Sequence, residues 1–179
     1  KKGETMKQQK LEDIMQFAMG KNITRLKNAE NIVYTPDDFE NDLHSRNQSR
    51  TASECIISMI KLKAAPISIE TQKMYITSNF LKCSFDRNVL DSWYFCYQFN
   101  QSKEIEEQIA RCQQGTTLSV KKLTIQSVGK LDMSIPDIDQ QHIIGAIYRN
   151  AIIQRDLMIQ QAENMMNMTL TILKKYEEN

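Results

Sequence analysis

The C-terminal quarter of the chain restricts the fold more than any other feature. From residue 139 to residue 176 apolar residues recur at helical spacing, and no Gly or Pro follows Gly145. One row contains Ile144, Ile147, Ala151, Met158, Met165, Met168 and Ile172, and its neighbour contains Tyr148, Ile152, Ile159, Ala162, Met166 and Leu173. A helix of about 38 residues is roughly 57 Å long, longer than a small domain is wide. Much of this helix must therefore project.

A projecting helix with an apolar stripe needs a covering partner. Gln154 and Gln161 interrupt the first row, as polar residues do where a coiled coil fixes its register. We therefore expect a coiled coil whose interface contains Ile147, Ala151, Met158, Met165 and Ile172. The alternative is a helix folded back on its own domain, which its length disfavours.

The front part of the chain predicts strands with a few short helices. Strands are indicated by the β-branched and aromatic residues of "CIISMIK" (55–61), "APISI" (65–69) and "MYITSNFLKCSF" (74–85), and a last strand by "KLDMSIP" (130–136). Helices are indicated at "DSWYFCYQFN" (91–100) and "SKEIEEQIARCQQG" (102–115). The fold class is thus α+β, with a small, mainly antiparallel sheet in a domain of residues 1–137 and a long helix over 138–179.

Composition excludes several classes of protein. The 179 residues, 41% of them hydrophobic, suffice for one substantial core. No apolar run approaches the roughly 18 residues of a membrane span, and the opening "KKGETMKQQK" lacks an apolar signal core, so we expect a cytoplasmic protein without a membrane segment. The four cysteines are far apart and neither histidine has ligand-like neighbours, which predicts free thiols and no metal.

No motif supports catalysis. The acids of "PDDFENDL" (36–43) superficially resemble a nuclease cluster, but no acid-x-lysine follows, which favours a capped helical turn or an acidic loop. None of the five glycines forms a phosphate-binding motif. The aromatic residues between 93 and 99 are denser than a base-stacking platform requires and are typical of a core. We expect neither catalytic residues nor a cofactor.

Three basic or amide-bearing segments remain. The segment "HSRNQSR" (44–50) carries side chains able to form forked contacts with base edges and phosphates: Arg46, Asn47, Gln48, Ser49 and Arg50. From residue 44 to residue 63 four basic residues stand against Glu54, a local excess of +3 in a chain of net charge +1. "GKNITRLK" (20–27) and "QQGTTLSVKK" (113–122) add donors beside glycines. Each segment alone is also typical of a solvated loop.

Over nearly its whole length the chain resembles the specificity subunits of type I restriction-modification systems. The segments that carry the resemblance are "LEDIMQFAMGKNI", "CIISMIKLKAAPIS", "SNFLKCSFD", "DSWYFCYQFN" and "QQGTTLSVKKLTIQSVGKLDMSIPDIDQQHII". The last is similar to the family's Gly-Thr segment, short lysine-bearing helix, strand, Pro-containing join and Gln-rich helix start. The resemblance implies a non-catalytic target recognition domain that reads half of a split DNA site, followed by a spacer helix.

Full family members carry two recognition domains and two spacer helices, whereas this chain has one of each. The resemblance therefore implies either a half-subunit that pairs with itself or a fragment of a two-domain subunit. It implies double-stranded DNA, a methyltransferase subunit and, through it, a restriction subunit as partners. Base-reading residues would be Arg46, Gln48, Ser49 and Arg50, and phosphate contacts would be Lys21, Arg25, Lys61, Lys63, Thr116 and Thr117. The alternative is a coiled-coil scaffold with a protein-binding globule. The target sequence does not follow from residue types.

Overall fold

The computed structural model describes residues 7–22, 32–44, 50–113 and 123–178. These residues form both helices and strands, which confirms the predicted mixed class. Their bounds are β1 (Lys7–Lys10), α1 (Leu11–Ile14), β2 (Met15–Met19), α2 (Pro36–Leu43), β3 (Arg50–Ser58), β4 (Lys63–Ser68), β5 (Phe80–Phe85), α3 (Ser92–Gln101), α4 (Lys103–Gln113), α5 (Ile125–Gly129), β6 (Asp132–Ile135) and α6 (Ile138–Glu177).

Two small antiparallel sheets organise the globular part. The larger sheet has the order β2-β5-β3-β4, and the smaller one pairs β1 with β6. The predicted strand over 74–85 is correct only from Phe80, because the amide of Phe80 closes a turn on the carbonyl of Thr77. Before that turn, Tyr75 and Thr77 form isolated bridges with Val33 and Lys21 instead.

The central strand β3 is buried on both faces of the larger sheet. Cys55 and Ile57 belong to the main core, which includes α3 and α4, while Ile56 belongs to a second cluster with Tyr34 and Phe39. A strand covered on both faces has no polar side to alternate with, which explains why "CII" is a continuous apolar run.

Thr35 and Asp91 form the N-terminal caps of α2 and α3. Thr35 and Asp38 form a capping box at the start of α2, which confirms "PDDFENDL" as a capped helix. The Asp91 carboxylate accepts a hydrogen bond from the amide of Tyr94 at the start of α3. Four of the five aromatic residues of α3 are buried, as predicted: Trp93, Tyr94, Phe95 and Phe99. The fifth, Tyr97, is half-buried, and its ring lies 5.5 Å from that of Tyr148 on α6.

The first half of α6 is fixed to the globule by Gln141 and Gly145. The Gln141 side chain, 1% exposed, accepts from the Asp91 amide at 3.0 Å and donates to the carbonyls of Val89 at 3.0 Å and Pro136 at 2.9 Å. A Cβ at Gly145 would lie 2.4 Å from the Asp91 carboxylate and 2.9 Å from the Tyr94 amide. Only glycine permits this approach of α6 to α3.

Beyond Asp156 the helix leaves the globule. Ile144, Tyr148 and Ile152 pack against the core, whereas every side chain described from residue 157 onwards is exposed. The projecting part, residues 157–177, is about 31 Å long. The predicted projection is thus confirmed for the second half of the helix, and the fold-back alternative holds for the first half.

Candidate DNA-binding surface and free helix

The described lysines among the predicted phosphate contacts meet at one end of the larger sheet. Lys21 lies just beyond the end of β2, Lys61 lies in the turn that joins β3 to β4, and Lys63 begins β4. Because β5 runs antiparallel to both β2 and β3, the ends of those two strands lie side by side at the start of β5. We call this end of the sheet the lysine end.

Arg50 lies at the opposite end of the same sheet. It begins β3 and pairs with Ser68, whereas Ser58 at the other end of β3 pairs with Lys63. The nine-residue strand places the two ends roughly 25 Å apart. For Arg50 only the backbone is described, and Arg25, Arg46, Gln48, Ser49, Thr116 and Thr117 lie outside the described residues. The described residues of the predicted set therefore lie at two opposite ends of the larger sheet.

Lys61 already has an anionic partner. Its ammonium forms an ion pair with Glu40 on α2, and its backbone amide donates to the Ser58 hydroxyl at 3.2 Å. Burial raises the pKa of the Glu40 carboxyl, but the hydrogen bonds and charges of Lys61 and His44 outweigh it and hold the pKa below its usual value. A phosphate that binds Lys61 must therefore compete with Glu40.

Lys63 is anchored at the C-terminal end of α3. Its ammonium donates to the carbonyl of Asn100 at 2.7 Å, where a cation is favoured by the helix dipole. The Asn100 side chain accepts from the Ala64 amide at 2.7 Å and donates to the Ala64 carbonyl at 2.8 Å, as a neighbouring strand would. Lys63 thus has a structural contact in addition to the predicted role.

Gly20 brings Lys21 against the chain that precedes β5. A Cβ at Gly20 would lie 1.9 Å from the carbonyl oxygen of Thr77, and the amide of Lys21 donates to the carbonyl of Ile76 at 3.0 Å. The Lys21 side chain itself is exposed. Glycine is required here for a close backbone approach, as the sequence suggested for a ligand, but the group approached is the protein's own chain.

A cavity of about 290 Å³ opens at the lysine end. Its lining combines the rings of Tyr34, Phe39 and Phe80 with Ile60, whose side chain is 70% exposed, and with Lys61. Apolar surface beside cations is typical of a surface that binds a macromolecule.

The described residues give no support to a catalytic or metal centre. Within residues 7–22, 32–44, 50–113 and 123–178, no group of three or more His, Cys, Asp or Glu side chains could hold a metal ion. The buried carboxylate of Asp42 accepts hydrogen bonds from Tyr34 at 2.9 Å and Thr71 at 2.8 Å. All four cysteines are free thiols, as predicted. No helix in the described ranges combines the length and apolar character of a membrane span.

Sequence reasoning missed a contact between the globule and α6. His44 at the end of α2 places Nδ1 2.9 Å from the Asp156 carboxylate and Nε2 3.2 Å from that of Glu40. The four-residue spacing of Glu40 and His44 was a signal that the sequence contained. Asp156 lies 112 residues further along the chain, and no local pattern links it to His44.

The five predicted interface residues of α6 are all exposed and point away from the globule. They are Ile147, Ala151, Met158, Met165 and Ile172, and the exposed Ile143 and Met168 extend the same row. At about 100° per residue, this row lies roughly opposite the buried stripe of Gln141 and Gly145. A partner can therefore reach it without displacing the globule.

Past Asp156 the apolar surface of α6 widens. Ile159, Met166, Leu170 and Leu173 are exposed there as well, on the side of the helix that faced the globule further back. Glu163 is the one charged residue between 157 and 173. Apolar side chains thus cover more than half of the circumference, which is wider than the seam of a two-stranded coiled coil.

Solved structures share this architecture of a mixed globule that ends in a long helix. No protein-family model and no curated protein sequence matches the chain. The HsdS subunit from Thermoanaerobacter tengcongensis superposes with a TM-score of 0.56 and 15% identity over 90% of this chain and 42% of that one. A second match is a chain from a structure that describes complex assembly and conformational transition of the type I R-M system. It superposes with a TM-score of 0.61 and 16% identity over 93% of this chain and 43% of that one.

The fold is therefore the one found in the HsdS specificity subunits of type I restriction-modification systems, as the sequence resemblance predicted. The chain spans less than half of the length of each matched chain.

Proposed function

We propose that this chain is the DNA-recognition unit of a type I restriction-modification specificity subunit and reads one half of a bipartite site. One observation carries the proposal: the fold of that subunit covers 90% of this chain, the globule together with its long helix. Residues 1–137 form the target recognition domain, and residues 138–179 form the spacer and dimerisation helix. The chain makes and breaks no bonds itself.

In this proposal the lysine end binds the DNA backbone. Lys21, Lys61 and Lys63 supply positive charge for phosphates, with Arg25, Thr116 and Thr117 as further contacts. Arg46, Gln48, Ser49 and Arg50 read base edges. Arg50 and Lys61 are separated by roughly 25 Å, about seven base pairs of DNA, so a duplex that contacts both lies along β3.

The spacer helix pairs with the helix of a second copy in antiparallel orientation. The exposed row has a nearly symmetric order about Met158, because Gln154 and Gln161 flank it on either side. With the twofold axis near Met158, Ile147 meets Met168 of the second copy, Ile143 meets Ile172, and the glutamines meet each other. Apolar residues are then buried together while the glutamines can form hydrogen bonds. A twofold dimer of this kind selects an inverted repeat with a fixed gap.

The exposed part of the second apolar row, from Ile159 onwards, supports a further helical partner. A two-helix pairing along the Met158 row leaves Met166 and Leu173 uncovered, since they lie on the neighbouring side. We assign this surface to the methyltransferase subunit, through which the restriction subunit is brought to the site. The protein functions in the cytoplasm, where its DNA target is.

The proposal is tested by selecting random duplexes with the full chain reconstituted with its methyltransferase subunit. We expect enrichment of an inverted repeat with one gap length. Arg46→Ala should cost about 1–3 kcal/mol on the selected site and relax one base position. Lys61→Ala should weaken all duplexes alike and reduce the salt slope by about one. Lys103→Ala, on the exposed start of α4, is the control and should change neither.

A coiled-coil scaffold with a protein-binding globule is the second candidate. It is favoured by the intramolecular partners of Lys61 and Lys63 and by the near-neutral net charge of +1. Failure to enrich any duplex, together with a co-purifying partner that is not a methyltransferase, would support the scaffold and contradict the DNA-recognition role.

A further inference from the structure

The contact between His44 and α6 has a geometry that constrains the protonation of the ring. Nδ1 faces an oxygen of Asp156 at 2.9 Å, and Nε2 faces an oxygen of Glu40 at 3.2 Å. A carboxylate oxygen only accepts hydrogen bonds, and a neutral imidazole has a single N–H. Both contacts are hydrogen bonds only when the ring carries two N–H groups. This geometry thus belongs to the imidazolium form.

The contact lies where α6 leaves the globule, so it affects the direction of the projecting part. Ile152 makes the last apolar contact of α6 with the core, and Asp156 lies one turn beyond it. The projecting part that follows is about 31 Å long, so a tilt of about 10° displaces its tip by roughly 5 Å. A polar contact at Asp156 therefore decides where the far end of the helix lies.

Charged groups on three elements surround the ring. Glu40 lies on α2 with His44, Lys61 lies in the β3–β4 turn and pairs with Glu40, and Asp156 lies on α6. Arg155 and Glu163 of α6 border the groove of about 550 Å³ beside His44.

We propose that His44, as an imidazolium, is a positioning residue that clamps α6 at Asp156 and fixes the angle at which the helix leaves the globule. Loss of its proton as the pH rises opens the clamp. The clamp is a property of a single chain. Its consequence for the gap between two DNA half-sites rests on the proposed function.

The clamp is tested by spin-label distances within the full chain. Cys112, the exposed cysteine of α4, carries one label, and Asn167→Cys on the polar side of the projecting helix carries the other. Labelled chains are diluted with unlabelled protein so that distances within one chain dominate. Distance distributions are recorded from about pH 5 to about pH 8. The variants are His44→Gln, Asp156→Asn and, as the matched control, His142→Gln.

We expect a narrow distribution at low pH that becomes about twofold wider as the pH rises, with His142→Gln behaving like the unmodified chain. His44→Gln and Asp156→Asn should be wide at every pH, and combining them should add nothing. A narrow distribution in His44→Gln, or a width independent of pH in the unmodified chain, would overturn the clamp. Neither result depends on dimer formation or DNA binding, which are measured separately.

Discussion

The two halves of α6 share one helical pattern of apolar residues but have different surroundings. Residues 138–156 are held by a buried glutamine, a glycine and a histidine-carboxylate contact, whereas residues 157–177 expose a broad apolar surface. Nine of the 19 residues in the first half and 11 of the 21 in the second are apolar, so apolar content alone does not distinguish them. The difference lies in a few polar or small residues that fit one particular neighbour. The first half thus fixes the position of the helix on the globule, and the second half carries the apolar surface that is open to a partner.

The largest effect is expected from Gln141→Leu. This change removes the partners of the Asp91 amide and of the Val89 and Pro136 carbonyls in a site that is 1% exposed. We expect a loss of about 3 kcal/mol in the free energy of unfolding, measured by urea denaturation. Gln140→Leu, at the exposed neighbouring position, is the control and should change little. Equal effects of the two substitutions would show that the first half of the helix is not fixed by this residue.

Gly145→Ala should destabilise the protein by about 2 kcal/mol, because the new methyl group would overlap Asp91 and approach the Tyr94 amide. The sign of the change in stability distinguishes a packed helix from a solvent-exposed one. In a solvent-exposed helix the same change stabilises by about 1 kcal/mol. A raised unfolding midpoint would therefore contradict the close approach of α6 to α3 and erase the difference between the two halves.

Met158→Glu should leave the free energy of unfolding within about 0.5 kcal/mol, since the side chain is 60% exposed. In the proposed dimer it places two carboxylates near the twofold axis. We expect association to weaken by about 2 kcal/mol, roughly thirtyfold in the dissociation constant, in sedimentation equilibrium. Asn167→Glu on the polar side should preserve the dimer. A comparable loss in both variants would refute the assigned row.

The smallest effect concerns Glu40, whose carboxyl pKa is held below its ordinary value of 4.5. A lowered folded-state pKa means that the carboxylate contributes stability above its ordinary pKa. This contribution is lost as the pH falls through the folded-state pKa. Unfolding measured between about pH 3 and pH 6 should therefore show a weaker pH dependence in Glu40→Gln than in the unmodified chain. Parallel curves would show that the ion pair with Lys61 does not stabilise the fold.

The sequence predicted the elements whose periodicity is strong and local. The length of α6, the start of α3 beside Asp91 and the burial of most aromatic residues of α3 follow from spacing within a few residues. The order of strands did not follow, because β5 lies between β2 and β3 through pairing that is remote in sequence. For the same reason, the separation of Arg50 from Lys61 by the length of β3 was not foreseen.

The contacts of individual side chains were the least predictable part. Lys61 and Lys63 look alike in the sequence, yet one pairs with a carboxylate and the other with a helix end. Gln141 belongs to a polar helix start in the sequence, but it is one of the most buried polar residues described. Such roles depend on which groups tertiary folding brings within about 3 Å, and no local pattern encodes that distance.

The amide of Asn100, which occupies the hydrogen-bonding groups of Ala64, has a consequence for the behaviour of the protein at high concentration. An uncovered outer strand invites other sheets to add to it and grow into fibres. Here Asn100 occupies part of that strand, and Pro66 offers no N–H to an incoming chain. Both features disfavour self-association through the edge of the sheet. The exposed methionines of the projecting part of α6 are therefore not accompanied by a second surface on the globule that promotes aggregation.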